Sequence, residues 1–354
     1  MQKSTYYVVG VMSGTSLDGI DLAYVKLHCT SGDWSYRFMA VETVAYTKEW
    51  ESRLSQSVHA SSQELEQLDL DYTAHLAQVI NEFVTKNKIQ NLDAICSHGH
   101  TVLHEPDKGI TLQIGNNSAL AQLTKQRVVC DFRVADVALG GQGAPLVPIG
   151  DRLLFDEFDY CINLGGFANL SSEAPQGRIA YDLCPVNVLL NRYAQKLGRP
   201  YDDQGKLARK GEVLLQLLSN LNALPYYSEK PPKSLGMEWV NSEVLPLIES
   251  QGRSPEDILR TLIAHMAKQI ARPLLKDAKV LITGGGAFNS YLLERIAFNK
   301  TAHYHVPTND LVNYKEALIF ALLGVLKLRN EPNCLSSVTG AKYDHSSGNI
   351  FTAE

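Results

Sequence analysis

Apolar and polar positions alternate from Thr5 to His28, broken once by the polar, glycine-rich corner "GVMSGTSLDG" at residues 10–19. A period of two predicts two half-buried strands joined at that corner, and "WSYRFMAVETVAY" (34–46) continues the alternation. The period then changes. Leu65, Leu68, Tyr72, Leu76, Val79, Ile80 and Phe83 recur at helical spacing and predict an amphipathic helix over 62–87. "LDAICSHG" reads as a short buried strand ending at a glycine, and "QRVVCDF" as another.

A second block repeats this outline about 150 residues later. "DYCINLGGFANLSSE" (159–173) reads as strand, Gly-Gly turn, strand; "RIAYDLC" follows as a strand and "VNVLLNRYAQKLG" as a helix. Further on, Ser254 reads as an N-cap with Pro255 at the first helical position and Asp257 completing a capping box. "AKVLITGGGAFNSYLLERIA" is a buried strand, three glycines and a helix starting near Asn289; residues 315–328 form a mostly buried helix, and 225–236 an irregular loop. Strands alternating with helices give an α/β architecture. The repeated outline points to two related α/β domains, divided here as 1–130 and 131–354, with some carboxyl-terminal residues packing back on the first.

Composition narrows the function classes. The net charge is −5, and no run of Lys or Arg exceeds two residues, which argues against a nucleic-acid partner. The longest apolar run, Ala317–Leu326, is ten residues, too short to span a bilayer. No signal-peptide pattern opens the chain, and six scattered cysteines without a CxxC pair read as reduced, buried thiols. The expectation is a cytoplasmic protein with no membrane partner.

Four glycine-rich corners carry the candidate chemistry: 10–19, 140–143, 165–166 and 284–286. Glycine lets the backbone approach a ligand closely. Each corner alone also reads as a plain tight turn; together, after strands, they favour phosphate or nucleotide binding. None has the spacing of a P-loop or of GxGxxG, so a different nucleotide fold is expected. Asp18 and Asp21 flank the first corner, Asp131 and Asp136 flank Arg133, and Asp182 closes an apolar strand. A carboxylate at a strand end beside such a corner can act as general base or outer partner of Mg²⁺, or can cap a turn. His98, His100 and His104 fit a ligand-binding cluster or satisfied buried imidazoles better than a zinc pair. Arg133 can hold an anion or pair with its flanking aspartates.

Taken in order, "GVMSGTSLDGID", "SHGHTVLHEP", "TLQIGN", "VCDFRVADVALGGQGAPLVP", "INLGGFANLS", "LITGGGAFNSYLL" and "KEALIFALLG" resemble the signature series of the anhydro-N-acetylmuramic acid kinases. The resemblance runs from about residue 8 to residue 324. It implies the actin/hexokinase/Hsp70 fold, two related ribonuclease H-like α/β domains with ATP in a cleft between them. It also implies an activity: transfer of the γ-phosphoryl group of ATP to O6 of 1,6-anhydro-N-acetylmuramic acid while water opens the ring at C1. The implied product is N-acetylmuramic acid 6-phosphate, an intermediate of peptidoglycan recycling, and the implied assembly a homodimer.

The resemblance also assigns residues. Gly14, Thr15, Ser16, Leu17, Asp18, Gly19, Ile20 and Asp21 would form one ATP-phosphate corner, with Asp18 near Mg²⁺ through its waters. Gly165, Gly166 and Asn169 would form the second, and Gly284, Gly285, Gly286 and Asn289 would lie against adenosine. Asp182 would be the general base, and His100, Thr101, Arg133 and Glu316 would line the sugar pocket. The sequence departs from the usual pattern twice: His100 stands where Gln is usual, and "YDLCPVN" replaces Asp-Thr-Gly-Pro-Gly-Asn. These departures keep open a kinase for another 1,6-anhydrosugar, such as 1,6-anhydroglucose. A catalytically inactive sugar- or nucleotide-binding protein of the same fold is the alternative of a different class.

Overall fold

The segments on either side of the first corner form strands β1 (Thr5–Ser13) and β2 (Gly19–Thr30), paired antiparallel with Ser13 opposite Ile20. The structure, a computed structural model describing residues 3–250 and 252–353, divides into two compact units: residues up to Leu154 together with those from Tyr314 on, and Phe155–Asn313.

In the first unit β2 also pairs antiparallel with β3 (Asp33–Ala45). On the other side of β1 lies β4 (Ala94–Glu105), parallel to it, carrying β5 (Ile110–Ile114) as an antiparallel partner. β6 (Val128–Cys130) runs parallel to β4. The second unit builds β7 (Tyr160–Leu164), β8 (Phe167–Ala174) and β9 (Gly177–Pro185) as an antiparallel meander. β10 (Lys279–Thr283) joins β7 in parallel and β11 (His303–His305) joins β10. The two sheets therefore share one plan: β3-β2-β1-β4-β6 and β9-β8-β7-β10-β11 have the same order and the same directions. β12 (Asn349–Phe351) is added antiparallel to the β6 edge. The duplication read from the glycine-turn outline is thus a duplication of sheet topology.

The helix Ser62–Lys86 buries Leu68, Tyr72, Leu76, Val79, Ile80 and Phe83 on one face, as the period demands, and Ser61 with Glu64 closes its capping box. A second helix, Asn309–Leu328, lies on the first unit's sheet through its small residues. A Cβ at Gly10 would come 1.9 Å from the Ala317 carbonyl oxygen, and one at Gly324 would come 2.2 Å from Cys96 Sγ. This close seat fixes where Lys315 and Glu316 emerge. Gly10→Ala is therefore expected to lower stability by about 1–3 kcal/mol through overpacking. Thermal unfolding measures it; an unchanged Tm would mean that the helix does not rest on β1.

Several elements differ from the sequence reading. β4 does not end at Gly99 but continues to Glu105, because β5 pairs with its outer half from His100 opposite Ile114 onward. Ser254 caps its helix by accepting from Asp257 N, but the Asp257 carboxylate accepts from Glu212 N (2.7 Å). The capping box is thereby half made, since residues 211–212 lie across the helix start. The division expected at residue 130 falls inside the first unit, which continues through residues 131–154. That stretch is tied in by Arg133 to His98 and by Asp136 to Thr339. All six cysteines are buried free thiols. Among the described residues no helix is long and apolar enough to cross a membrane.

Candidate active site

In the first unit the β1–β2 corner presents Thr15, Ser16 and Asp18 to solvent, while Gly19 and Ile20 turn into the core. The corner is drawn tight by Leu17 N donating to Gly14 O (3.3 Å), with Leu17 itself at φ 58°. Gly19 is required by packing, since a Cβ there would lie 2.5 Å from Val44 O. Ser16 Oγ donates to Asp18 Oδ1 (2.7 Å), which orients that carboxylate. Asp21, the third residue of β2, accepts from Thr43 Oγ1 (2.6 Å). Burial pushes its pKa up to about 6; the Thr43 hydrogen bond opposes this, and the charges of Asp18 and Glu316 add to it. Three carboxylates thus share one electrostatic neighbourhood.

Beside this corner the same sheet collects the imidazole and guanidinium groups. His100 is buried on β4, and its Nδ1 is 2.8 Å from Ser13 Oγ, which is linked onward to Tyr46 OH (2.7 Å) and from there to Tyr72 OH (2.7 Å). Burial holds the His100 pKa down at about 4, so the ring is neutral at physiological pH. Thr101 follows, half-buried and opposite Gln113, whose buried Oε1 has no hydrogen-bond partner among the described residues.

Arg133 donates from Nε to His98 Nε2 (2.9 Å) and from Nη1 to Gly143 O (2.6 Å). His98 must then carry its proton on Nδ1, which lies 3.0 Å from Gly99 O. Burial and the neighbouring guanidinium hold His98 well below the usual imidazole range. Burial also lowers Arg133 to about 10, which leaves it charged at neutral pH. Glu316 faces solvent yet is crowded by protein; burial raises its pKa, while Lys315 and Arg133 pull it down.

The second unit assembles the other predicted residues. Gly165 and Gly166 make the two-residue turn between β7 and β8. Their carbonyls accept from Asn187 N (3.3 Å) and Val186 N (2.8 Å), so the altered "CPVN" turn folds directly onto this corner. Gly284–Gly286 packs on the same place: a Cβ at Gly284 would lie 2.4 Å from Asn163 Oδ1, and one at Gly286 2.8 Å from Leu164 Cβ. Gly284 also has φ +79°, the left-handed conformation that glycine adopts without strain. Asn289 caps the next helix by accepting from Leu292 N (3.1 Å).

Asp182 stands on β9 opposite Asn169, just before a register shift that sets Cys184 against Ala168. Its Oδ2 accepts from Leu235 N (2.8 Å), its backbone carbonyl from Tyr226 OH (2.8 Å), and its own N–H donates to Lys233 O (3.2 Å). Burial raises the Asp182 pKa and the Leu235 N–H partly offsets it. The segment read as an irregular loop is therefore the cradle of this carboxylate. Lys233 itself donates to Tyr226 O (2.8 Å), which closes the loop on itself.

Of the residues singled out from sequence, the first unit holds Gly14 to Asp21, His100, Thr101, Arg133 and Glu316. The second holds Gly165, Gly166, Asn169, Asp182, Gly284 to Gly286 and Asn289. Sequence reasoning passed over Ser13, Tyr46, Gln113, Asn187 and Leu235. Only Asn187 left a trace, as the polar residue closing "CPVN".

Residues 6–353 match the family described as anhydro-N-acetylmuramic acid kinase. The anhydro-N-acetylmuramic acid kinase of Mannheimia succiniciproducens is 34% identical over 98% of this chain and 98% of its own length. That of Bacillus cereus (strain AH187) is 32% identical over 97% and 98%. Among solved structures, the activator of 2-hydroxyisocaproyl-CoA dehydratase from Clostridium difficile with bound ADPNP resembles it with a TM-score of 0.43. The sequence identity there is 15%, over 91% of this chain and 96% of that one. The chain is accordingly a kinase, an enzyme that transfers a phosphoryl group from ATP to a small sugar. It belongs to the anhydro-N-acetylmuramic acid kinase family.

Proposed function

We propose that this kinase opens the 1,6-anhydro ring of anhydro-N-acetylmuramic acid and phosphorylates the oxygen it releases. The observation that carries this reading is Asp182, a half-buried carboxylate with a raised pKa, held by one backbone donor on β9 opposite Asn169. A carboxylate desolvated in this way is a stronger base than one in water. In the proposed step Asp182 takes a proton from a water whose oxygen bonds to C1. The C1–O6 bond breaks, and O6 takes the γ-phosphoryl group as ADP leaves. One proton, one water and one phosphoryl group account for the product, N-acetylmuramic acid 6-phosphate, which by the family resemblance would be an intermediate of peptidoglycan recycling.

The rest of the site positions charge, which is most of what phosphoryl transfer asks of a protein. The Gly14–Asp18 and Gly165–Gly166 corners hold the phosphates of ATP, and Gly284–Gly286 with Asn289 holds its adenosine. Arg133, kept charged and fixed by His98 and Gly143 O, binds the lactyl carboxylate. Neutral His100, tethered by Ser13, offers Nε2 to the sugar, with Thr101 and Glu316 beside it. The mutual repulsion of Asp18, Asp21 and Glu316 fits a divalent cation nearby, and Asp18 would hold Mg²⁺ through its waters. Bound there, Mg²⁺ neutralises phosphate charge.

The reaction run in ¹⁸O-water with ATP and the anhydrosugar tests this by mass spectrometry. The expected product carries one ¹⁸O at C1 and none in the ester oxygen, with product incubated alone correcting for anomeric exchange. A product with no label at C1 beyond that control, or no product at all, overturns the reading. Faster turnover of 1,6-anhydroglucose in the same assay would move the sugar assignment and leave the chemistry intact.

A further inference from the structure

We infer that the first unit carries a second, buried cation site of the zinc class, formed by Asp136, Cys334 and His345. Their ligand atoms all lie within 4.8 Å of one another, and the three residues are 0%, 1% and 8% exposed. None of them takes part in the phosphoryl-transfer chemistry.

The strongest sign is a mismatched contact. His345 Nδ1 lies 3.1 Å from Tyr343 O, and a carbonyl can only accept, so Nδ1 carries the ring proton. The other nitrogen, Nε2, is buried without a hydrogen-bond partner among the described residues and sits 3.5 Å from Asp136 Oδ1. Nε2 and Oδ1 stand together only with a proton or a metal cation between them, and the Cys334 sulfur beside them supplies a third ligand atom for the latter. The surroundings are already arranged as the outer layer of a metal site. Asp136 Oδ1 accepts from Thr339 Oγ1 (2.8 Å) and Oδ2 from Gly143 N (2.7 Å), while Tyr343 O fixes the His345 tautomer. Such partners orient carboxylate and imidazole ligands toward a metal.

The donor set selects the cation. One sulfur, one imidazole nitrogen and one carboxylate oxygen suit zinc, and exclude the oxygen-only preference of Mg²⁺ and Ca²⁺. Tetrahedral zinc places such donors roughly 3.3–3.6 Å apart, so the set closes by on the order of 1 Å around the ion. A cysteine binds zinc as its thiolate, so the thiol proton leaves as the ion enters. The consequence reaches the sugar site: Asp136 holds Gly143, whose carbonyl seats Arg133.

The test is a titration of full-length, chelator-stripped protein with Co²⁺, followed by displacement with Zn²⁺. The expected result is one Co²⁺ per chain with near-ultraviolet thiolate-to-cobalt absorption, lost when Zn²⁺ is added. Cys334→Ser removes that absorption, and His345→Gln weakens Co²⁺ binding by more than the roughly 10–100-fold cost of losing a supporting partner. Circular dichroism checks that both variants fold; if His345→Gln does not, the wild-type spectrum and Cys334→Ser decide. No thiolate absorption at saturating Co²⁺, or unchanged binding in both variants, overturns the site. So does an NMR signal showing His345 doubly protonated with or without Zn²⁺, which identifies a plain imidazolium–carboxylate pair.

Discussion

Asp182→Asn is expected to lose turnover by about 10³-fold while still binding ATP. The substitution keeps the side chain's shape, and the amide oxygen can still accept from Leu235 N, so the cradle survives and only the proton acceptor is lost. Steady-state kinetics beside an ATP-binding isotherm separates the two. Near-normal turnover would remove Asp182 from the role of base. The wild-type pH profile gives the same test a second reading. A base works only when deprotonated, and burial raises the Asp182 pKa. The acid limb of kcat/KM should therefore fall at a pH above the ordinary carboxylate range, activity being lost as pH drops through it. In Asp182→Asn that limb should vanish from the residual rate.

Arg133→Ala is expected to cost at least about 30-fold in kcat/KM for the anhydrosugar, mainly through KM, with ATP affinity unchanged. Truncating one partner of a buried charged pair costs about 2–5 kcal/mol, and about 1.4 kcal/mol is tenfold. Arg133→Lys should recover little. A lysine is a point charge and cannot bond His98 and Gly143 O together while offering a fork to a carboxylate. Thermal unfolding of both variants guards against a loss that comes only from the orphaned His98. An unchanged sugar KM would take Arg133 out of the pocket.

The periodic parts of this fold were legible because one buried face leaves a regular imprint. The helix Ser62–Lys86 and the strands around both glycine corners follow from spacing alone. Asp182 could be singled out as the carboxylate ending the apolar run "GRIAYD", although β9 continues past it to Pro185 because Cys184 and Pro185 still pair with Ala168 and Phe167. Pairings between distant segments left no such imprint. Nothing local says that Arg133 is fixed by His98, thirty-five positions earlier, or that β5 would carry β4 past Gly99. Asp257 looked like half of a capping box because its own helix is all that the sequence displays at that point. Its carboxylate answers instead to Glu212 N. The segment 131–154 likewise reads as the start of something new, yet its Asp136 is bound to Thr339, some two hundred residues away.

The group that holds Asp182 is a main-chain N–H, and that changes how this enzyme can vary and how it can be probed. Leu235 could become almost any residue other than proline and still donate the same bond. An alanine there would report on the packing of the Leu235 side chain against the core and not on the bond to Asp182. At position 235 the path of the chain holds the carboxylate, while the letters of the segment count at Tyr226 and Lys233, whose side chains fix that path. A one-residue deletion between Lys233 and Leu235 would therefore unseat the base while leaving every neighbouring side chain in the sequence.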